Sequence, residues 1–319
     1  MTLAVGDERR ARRDGRADRG FRLLAAAAGV LVLVTLIGVA LTTLWGGREA
    51  FATFGWRFLF SSDWDTVGHH FGALAPVYGT LVTAAIALLI AVPISFGIAL
   101  YLTEIAPPWM RTPVGAAIEL LAGIPSIIYG MWGLFVFVPI MGRYVIPWLN
   151  AHVGDWPVIG ALFSGPPLGL GMLTAGIVLA IMVIPFISSV MREVFLTVPT
   201  RLKESAYALG STTWEVAWDV VLPYTRTAVV GGVFLGLGRA LGETMAVTFV
   251  LGNVHRLSMS LVEPGNSIAA TIANEFAEAD SEIFRSSLIA LAFLLFVVTF
   301  VVLAIAKLML RQMEKREGK

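Results

Sequence analysis

The sequence contains no cysteine. That excludes disulfides, thiol nucleophiles and thiolate metal sites from the chain. Histidine is nearly as scarce. His69, His70, His152 and His255 are scattered and form no H-E-x-x-H pair, so they read as exposed loop residues rather than metal ligands. Charge is low as well: 14% of the 319 residues are Asp, Glu, Lys or Arg, against about 25% in a soluble domain. A phosphate-cradling G-x-x-x-x-G-K-[ST] loop is also missing, since the single Gly-Lys pair is Gly318-Lys319 with no residue after it. The chain is therefore not expected to hydrolyse ATP or to act as an enzyme. Low-complexity segments, internal repeats and a separate soluble domain are not evident.

What the chain does have is apolar length. It is 57% hydrophobic, with mean hydropathy +0.80. Six segments are expected to span a membrane: Phe21–Trp45, Pro76–Leu102, Pro113–Met141, Gly169–Met191, Thr227–Gly252 and Phe284–Leu310. The first follows seven Arg within residues 1–22. Its apolar run, Leu23 to Leu44, exceeds the ~7–15 residues of a signal sequence, so it reads as an uncleaved helix. The Arg cluster beside it reads as an orientation signal and not as a nucleic-acid site.

Six spans place both termini on one side. The segments on that side hold 17 Lys and Arg, and the opposite loops hold five. By the positive-inside rule the topology is N-in, C-in. The outer loops carry nine acids, among them Glu263, Glu275, Glu278 and Asp280. An acidic face does not concentrate a free anion, so an anionic cargo would need a delivery partner, unless salt screens the charge. Residues 46–75 and 142–168 are rich in Trp, Phe, Pro and Gly and are expected to pack. The domain plan is a basic tail (1–20), a first helix (21–45), an outer loop (46–75), a transmembrane domain (76–310) with a cytoplasmic loop at 199–223, and a tail (311–319).

One spanning stretch carries charge. Gly231 to Phe249 reads GGVFLGLGRALGETMAVTF. On one continuous helix Arg239 and Glu243 share a face, one turn apart. A charge at mid-bilayer costs at least ~2.5–3.5 kcal/mol, so such residues face a protein interior or a wet pathway. Two readings stay open: a transport role for the guanidinium, with gating by making and breaking the pair, or a static ion pair. Gly232, Gly236, Gly238 and Gly242 form two GxxxG pairs suited to close helix packing. Glu119 is a third charged candidate. It is open to pairing with Arg239 or a partner chain, or to resting at the interface.

The loop before this stretch has a rigid pattern. Residues 204–223, ESAYALGSTTWEVAWDVVLP, read as two short helices broken at Gly210. Thr200 is expected to cap the first. Ser211 or Thr212 caps the second, with Glu215 completing a capping box after Thr212, and Pro223 ends the run.

The spacing E-x-A, three residues, Gly, nine residues, aliphatic, one residue, Leu-Pro resembles the EAA loop of ABC-importer permeases. Glu204, Ala206, Gly210, Val220, Leu222 and Pro223 fall at matching positions, and Ser205 replaces one Ala. Tyr78–Glu104, Ile118–Phe137, Gly160–Pro166, Leu237–Phe249 and Asn274–Ala279 are together similar to the PstC family of phosphate-importer permeases, from about residue 56 onward.

The resemblance implies an all-α polytopic membrane protein with the MetI-like ABC-importer permease fold, embedded in lipid. It implies a PstA-like second permease, a PstB-like ATPase dimer that binds ATP and Mg, and a PstS-like extracytoplasmic phosphate-binding protein. It also implies that the Gly210 loop docks on the ATPase, that Arg239 and Glu243 are both needed for transport, and that no cofactor is held by this chain. A sulfate or molybdate permease, an ion-coupled secondary transporter with Glu243 or Glu119 as proton carrier, and a phosphate-status sensor are the alternatives.

Overall fold

The computed structural model describes residues 3–157 and 159–316, with side chains from 18 to 312 apart from Val158. The arginines at 9–16 and the basic residues beyond 312 therefore lie outside the described side chains. Six helices are long and apolar enough to cross a membrane: Asp18–Gly46, Leu74–Ile105, Ser126–His152, Met172–Leu196, Thr213–Leu241 and Glu282–Gln312. They are spans 1 to 6 below. Extended pairing among the described residues is a two-residue antiparallel ladder, Trp64–Asp65 with His70–Phe71, and an isolated parallel bridge between Gly252 and Gly265.

The expected number of spans holds, but both ends of spans 3 and 5 move, span 3 running on to His152 beyond the expected Met141. Pro113 does not open span 3. It lies inside a separate helix, Pro108–Ala122, and the chain breaks at residues 123–125 before span 3 starts at Ser126. Pro125 supplies no N–H and disfavours helical backbone at the residue before it. The Tyr129 hydroxyl straps the break by donating to the Leu121 carbonyl at 3.0 Å.

Span 5 begins at Thr213, ahead of the expected Thr227, and ends at Leu241. Pro223 does not stop it. Residues Val216–Val221 form wide π turns, and Pro223 occupies the first turn of the segment that follows, where a missing N–H is tolerated.

Span 4 is the centre of the bundle. It buries Ala175, Val178, Leu179, Met182, Val183, Ile187 and Met191. Lipid is as apolar as these side chains, so close packing and interhelical hydrogen bonds hold the spans together. Span 2 presents small buried residues at helical spacing, Ala84, Ala87, Ala91, Ser95 and Ala99, which let span 4 approach. The Ser95 hydroxyl donates to the Ile184 carbonyl at 3.1 Å. Gly232 and Gly236 bring span 5 onto span 4: a Cβ there would lie 3.0 Å from Val190 and 2.6 Å from Ile187. The second GxxxG pair does not pack in this way. Gly238 only touches Leu303 at van der Waals distance, and Gly242 meets its own backbone.

The loops at the two ends differ in build. At one end, residues 46–75, 142–168 and 253–281 form a packed cap. Phe58, Phe71, Phe284 and Leu288 are buried there around Ile268. The Phe71 and Phe284 rings stack at 5.0 Å. Asn150 ties its loop to Gly165 in both directions, at 2.8 and 3.2 Å. The expectation of packed loops holds. The helix Thr200–Ala208 and the start of span 5 lie at the other end.

Span 2 closes on the cap through Gly79. A Cβ on Gly79 would lie 1.9 Å from the Asn266 carbonyl oxygen, whereas one on Gly97 would meet nothing within 4 Å. Gly79→Ala is expected to destabilise the protein by about 1–3 kcal/mol or more through overpacking against backbone, and Gly97→Ala to be neutral. Thermal unfolding midpoints of the purified variants in detergent check the contrast. Equal midpoints would refute the tight approach.

Candidate functional site

Arg239 and Glu243 do not share a helical face. Span 5 ends at Leu241 with Gly242 as its C-cap, and a new helix runs Met245–Leu251. The Glu243 carboxylate turns forward and accepts from the Ala246 N–H at 3.2 Å, a cap for the first turn of that helix. No Arg239–Glu243 ion pair forms among the described residues. The static-pair reading of these two residues is corrected: a helix end lies between them.

Arg239 is half-buried. Its guanidinium carbon lies 5.7 Å from the centre of the Phe186 ring, close enough for a cation–π contact. Its Nε is buried with no hydrogen-bond partner. An unmet buried donor costs about 1–3 kcal/mol, and more on a charged group. Guanidinium stays charged and offers five donors in a fork that matches a tetrahedral oxyanion. An anion's oxygens would supply the acceptor that the protein does not.

Glu119 belongs elsewhere. It sits on the Pro108–Ala122 helix and pairs with Arg192 at 3.3 Å, with side chains 59% and 21% exposed. Arg192 also reaches Glu193 at 3.3 Å. The possible Glu119–Arg239 pairing is thus corrected. The helix break at 123–125 keeps Glu119 beside the end of span 4, and such a part-exposed pair contributes at most about 1 kcal/mol.

The 199–223 loop closely follows its pattern. Helix Thr200–Ala208 ends in a Schellman motif. The Ser211 N–H donates to the Ala206 carbonyl at 3.1 Å and the Gly210 N–H to Tyr207 at 3.0 Å. Gly210 holds φ +92°, the left-handed conformation this cap needs. Thr212 then forms the expected capping box with Glu215. Thr200 does not cap the first helix. The cap position is Pro199, and Thr200 is already helical.

Only Lys203 and Ala206 of residues 200–208 turn inward. Arg201, Leu202, Glu204, Ser205 and Tyr207 are exposed, as are Leu209 and Trp214 just beyond. Leu222 is half-buried and Pro223 exposed. The loop therefore presents an outward face with both apolar and charged groups, while Val216, Ala217 and Val221 anchor it in the core.

The cap end holds a cluster that the sequence did not disclose. The Trp64 indole stacks on the His255 imidazole, centroids 4.7 Å apart, and its Nε1–H donates to Glu275 at 2.7 Å. His255 Nε2 lies 2.7 Å from Glu275 and 2.9 Å from Asn266 Nδ2. His255 is thus half-buried, contrary to the exposed reading, whereas His69, His70 and His152 are exposed. These residues come from separate loops, so no spacing in the sequence links them.

Among the described residues no group of three or more His, Asp or Glu could hold a metal. On the same surface, backbone N–H groups of Gly68 and Val67 hold the Asp65 carboxyl below its ordinary range. The Ser258 hydroxyl and Arg256 do the same for Glu263, so these acids stay ionised.

A family model for the binding-protein-dependent transport system inner membrane component matches residues 93–315. The phosphate transport system permease protein PstC of Xylella fastidiosa (strain 9a5c) is 66% identical over 306 residues, covering 96% of this chain and 94% of that one. The likeness thus extends well before residue 56, into the first helix. PstC of Pasteurella multocida (strain Pm70) is 57% identical, over 94% and 93% of the two chains.

A bacterial alginate ABC transporter solved with an alginate pentasaccharide-bound periplasmic protein aligns with TM-score 0.60, over 91% of this chain and 94% of that one. At 17% identity that likeness shows the fold alone. Six spans, the loop that precedes the fifth and near-full-length identity above one half agree: this chain belongs to the binding-protein-dependent transport system inner membrane components, a multi-pass cytoplasmic membrane family, and groups there with the PstC permeases.

Proposed function

We propose that the chain is a pore-forming permease subunit of an ATP-driven importer of inorganic phosphate, with both termini in the cytoplasm. The observation that carries the reading is Arg239, a half-buried guanidinium in a spanning helix whose Nε has no acceptor among the described residues. In a bilayer such a group marks a path for an anion. The names of the relatives favour phosphate over sulfate or molybdate. Loop geometry supports the energy source, since the exposed face of Thr200–Ala208 suits docking on a cytoplasmic ATPase.

In this scheme a PstA-like permease completes the pore, and a PstB-like ATPase dimer binds ATP and Mg²⁺ and drives the loop. A PstS-like protein delivers phosphate to the acidic outer cap. The chain itself catalyses no reaction. Alternating access exposes the Arg239 region first to the outside and then to the cytoplasm. Glu243 does not neutralise Arg239 in this state, so the guanidinium is free to meet the anion.

Labelled phosphate uptake tests the scheme in cells that lack their own importer, with and without the co-expressed ATPase and with sulfate as competitor. Uptake is expected only with the ATPase and unaffected by sulfate. Uptake that persists without the ATPase and collapses with the proton gradient would overturn the reading.

A further inference from the structure

Helix Thr200–Ala208 grips the rest of the chain through few side chains, and one is a charge. Lys203 Nζ lies 2.5 Å from Glu104 Oε1, with side chains only 15% and 5% exposed. Glu104 is in the last π turn of span 2, Tyr101–Ile105. Separating the two would leave an unpaired charge buried on each side, which strongly disfavours any motion that parts them. A second grip lies close by: Trp218, from the π turns of the same loop, meets Phe96 of span 2 at 5.8 Å, and Phe96 meets Phe195 at the end of span 4.

Span 2 continues to the opposite face. There the Ile268 N–H donates to the Thr80 hydroxyl at 3.0 Å, and Gly79 closes on the Asn266 backbone. Asn266 contacts His255 in the Trp64–His255–Glu275 cluster. At 1.5 Å per residue, the 32 residues of this span reach about 48 Å, so one continuous helix, with Pro93 inside it, touches both the ATPase-facing loop and the outer cap.

We propose that Lys203 and Glu104 are a charge clamp that makes the ATPase-facing helix and span 2 move as one body, so that span 2 carries the ATPase stroke to the outer cap. Both are positioning residues. The proposal rests on the reading of the chain as an ATP-driven permease.

The test uses the assembled transporter in proteoliposomes, reading phosphate uptake per ATP hydrolysed. Lys203→Glu and Glu104→Lys are each expected to lower that ratio about ten-fold while ATP hydrolysis continues, and the double swap is expected to recover most of it. A wild-type ratio in the single variants, or a swap that assembles without recovering, would overturn the clamp.

If the single variants do not assemble, Glu104→Cys with Lys203→Cys replaces them, in a chain that has no other cysteine. The unbridged pair lacks the clamp and should show the lowered ratio of uptake to ATP hydrolysed; bridging the two thiols with a bis-maleimide should restore it, and no recovery on bridging would overturn the proposal. Spin labels on the exposed neighbours, Ile105→Cys with Ala208→Cys, leave Lys203 and Glu104 in place and read the clamp without phosphate: their separation should not change when ATP is added, and a change counts against it. Wild-type liposomes without ATP-dependent phosphate uptake would instead sink the transport reading, and the spin-label result would still stand.

Discussion

Arg239→Gln is expected to lower phosphate uptake by about 10²-fold or more, the scale set by removing one preorganised donor to an oxyanion. Glu243→Gln added to it should not restore transport. The reason is geometric. If the two residues were a balanced pair, deleting both charges would leave a neutral and tolerated helix. Here the helix ends at Leu241, Glu243 caps the next helix through the Ala246 N–H, and Arg239 Nε is buried without a partner. Removing the guanidinium removes an Nε–H donor that has no acceptor among the described residues. Glu243→Gln alone keeps an oxygen that can still accept from Ala246, so its effect should be smaller. Initial rates of labelled phosphate uptake, normalised to the amount of assembled transporter, decide the point. Full recovery in the double variant would show that charge balance was the only role.

Gly210→Pro is expected to bring ATP-driven uptake to background while the protein still inserts in the membrane. Pro fixes φ near −65° and has no N–H. Gly210 needs φ +92°, and its N–H donates to the Tyr207 carbonyl. Losing both dissolves the Schellman turn, so the exposed face of Thr200–Ala208 and the capped start of span 5 lose their fixed relation. Nothing lies within 4 Å of a Cβ at Gly210, so the bundle itself is not overpacked by the change. Gly210→Ala is the graded control, since one L-residue in the left-handed region costs about 1–2 kcal/mol, and its loss of uptake should be partial. Co-purification of the ATPase with each variant is the measurement. An ATPase held as tightly by Gly210→Pro as by wild type would refute the docking role of the turn.

Much of the loop was legible because its signals are short-range. Thr212 and Glu215 stand three residues apart and form the capping box as the spacing requires. Gly210 supplies the one backbone conformation that ends the first helix there. Thr200 misled because Pro199 before it takes the cap position and leaves it in the helix. In span 5, Gly242 was itself a helix-end signal. It was masked by the apolar run Met245–Leu251, which continues the hydrophobicity of the span across the break.

By itself the sequence determined the six apolar spans, the charged position Arg239 within the fifth, and the helix–glycine–helix loop before it. Hydropathy, caps and turn conformations are properties of a few consecutive residues, so they are written along the chain. Only the tertiary structure decided the partners of each charge: Glu119 with Arg192, Lys203 with Glu104, His255 with Glu275 and Trp64, and Arg239 Nε with no partner. These pairings depend on which helix ends meet, and that is set by small-residue contacts and helix breaks acting between segments far apart in sequence.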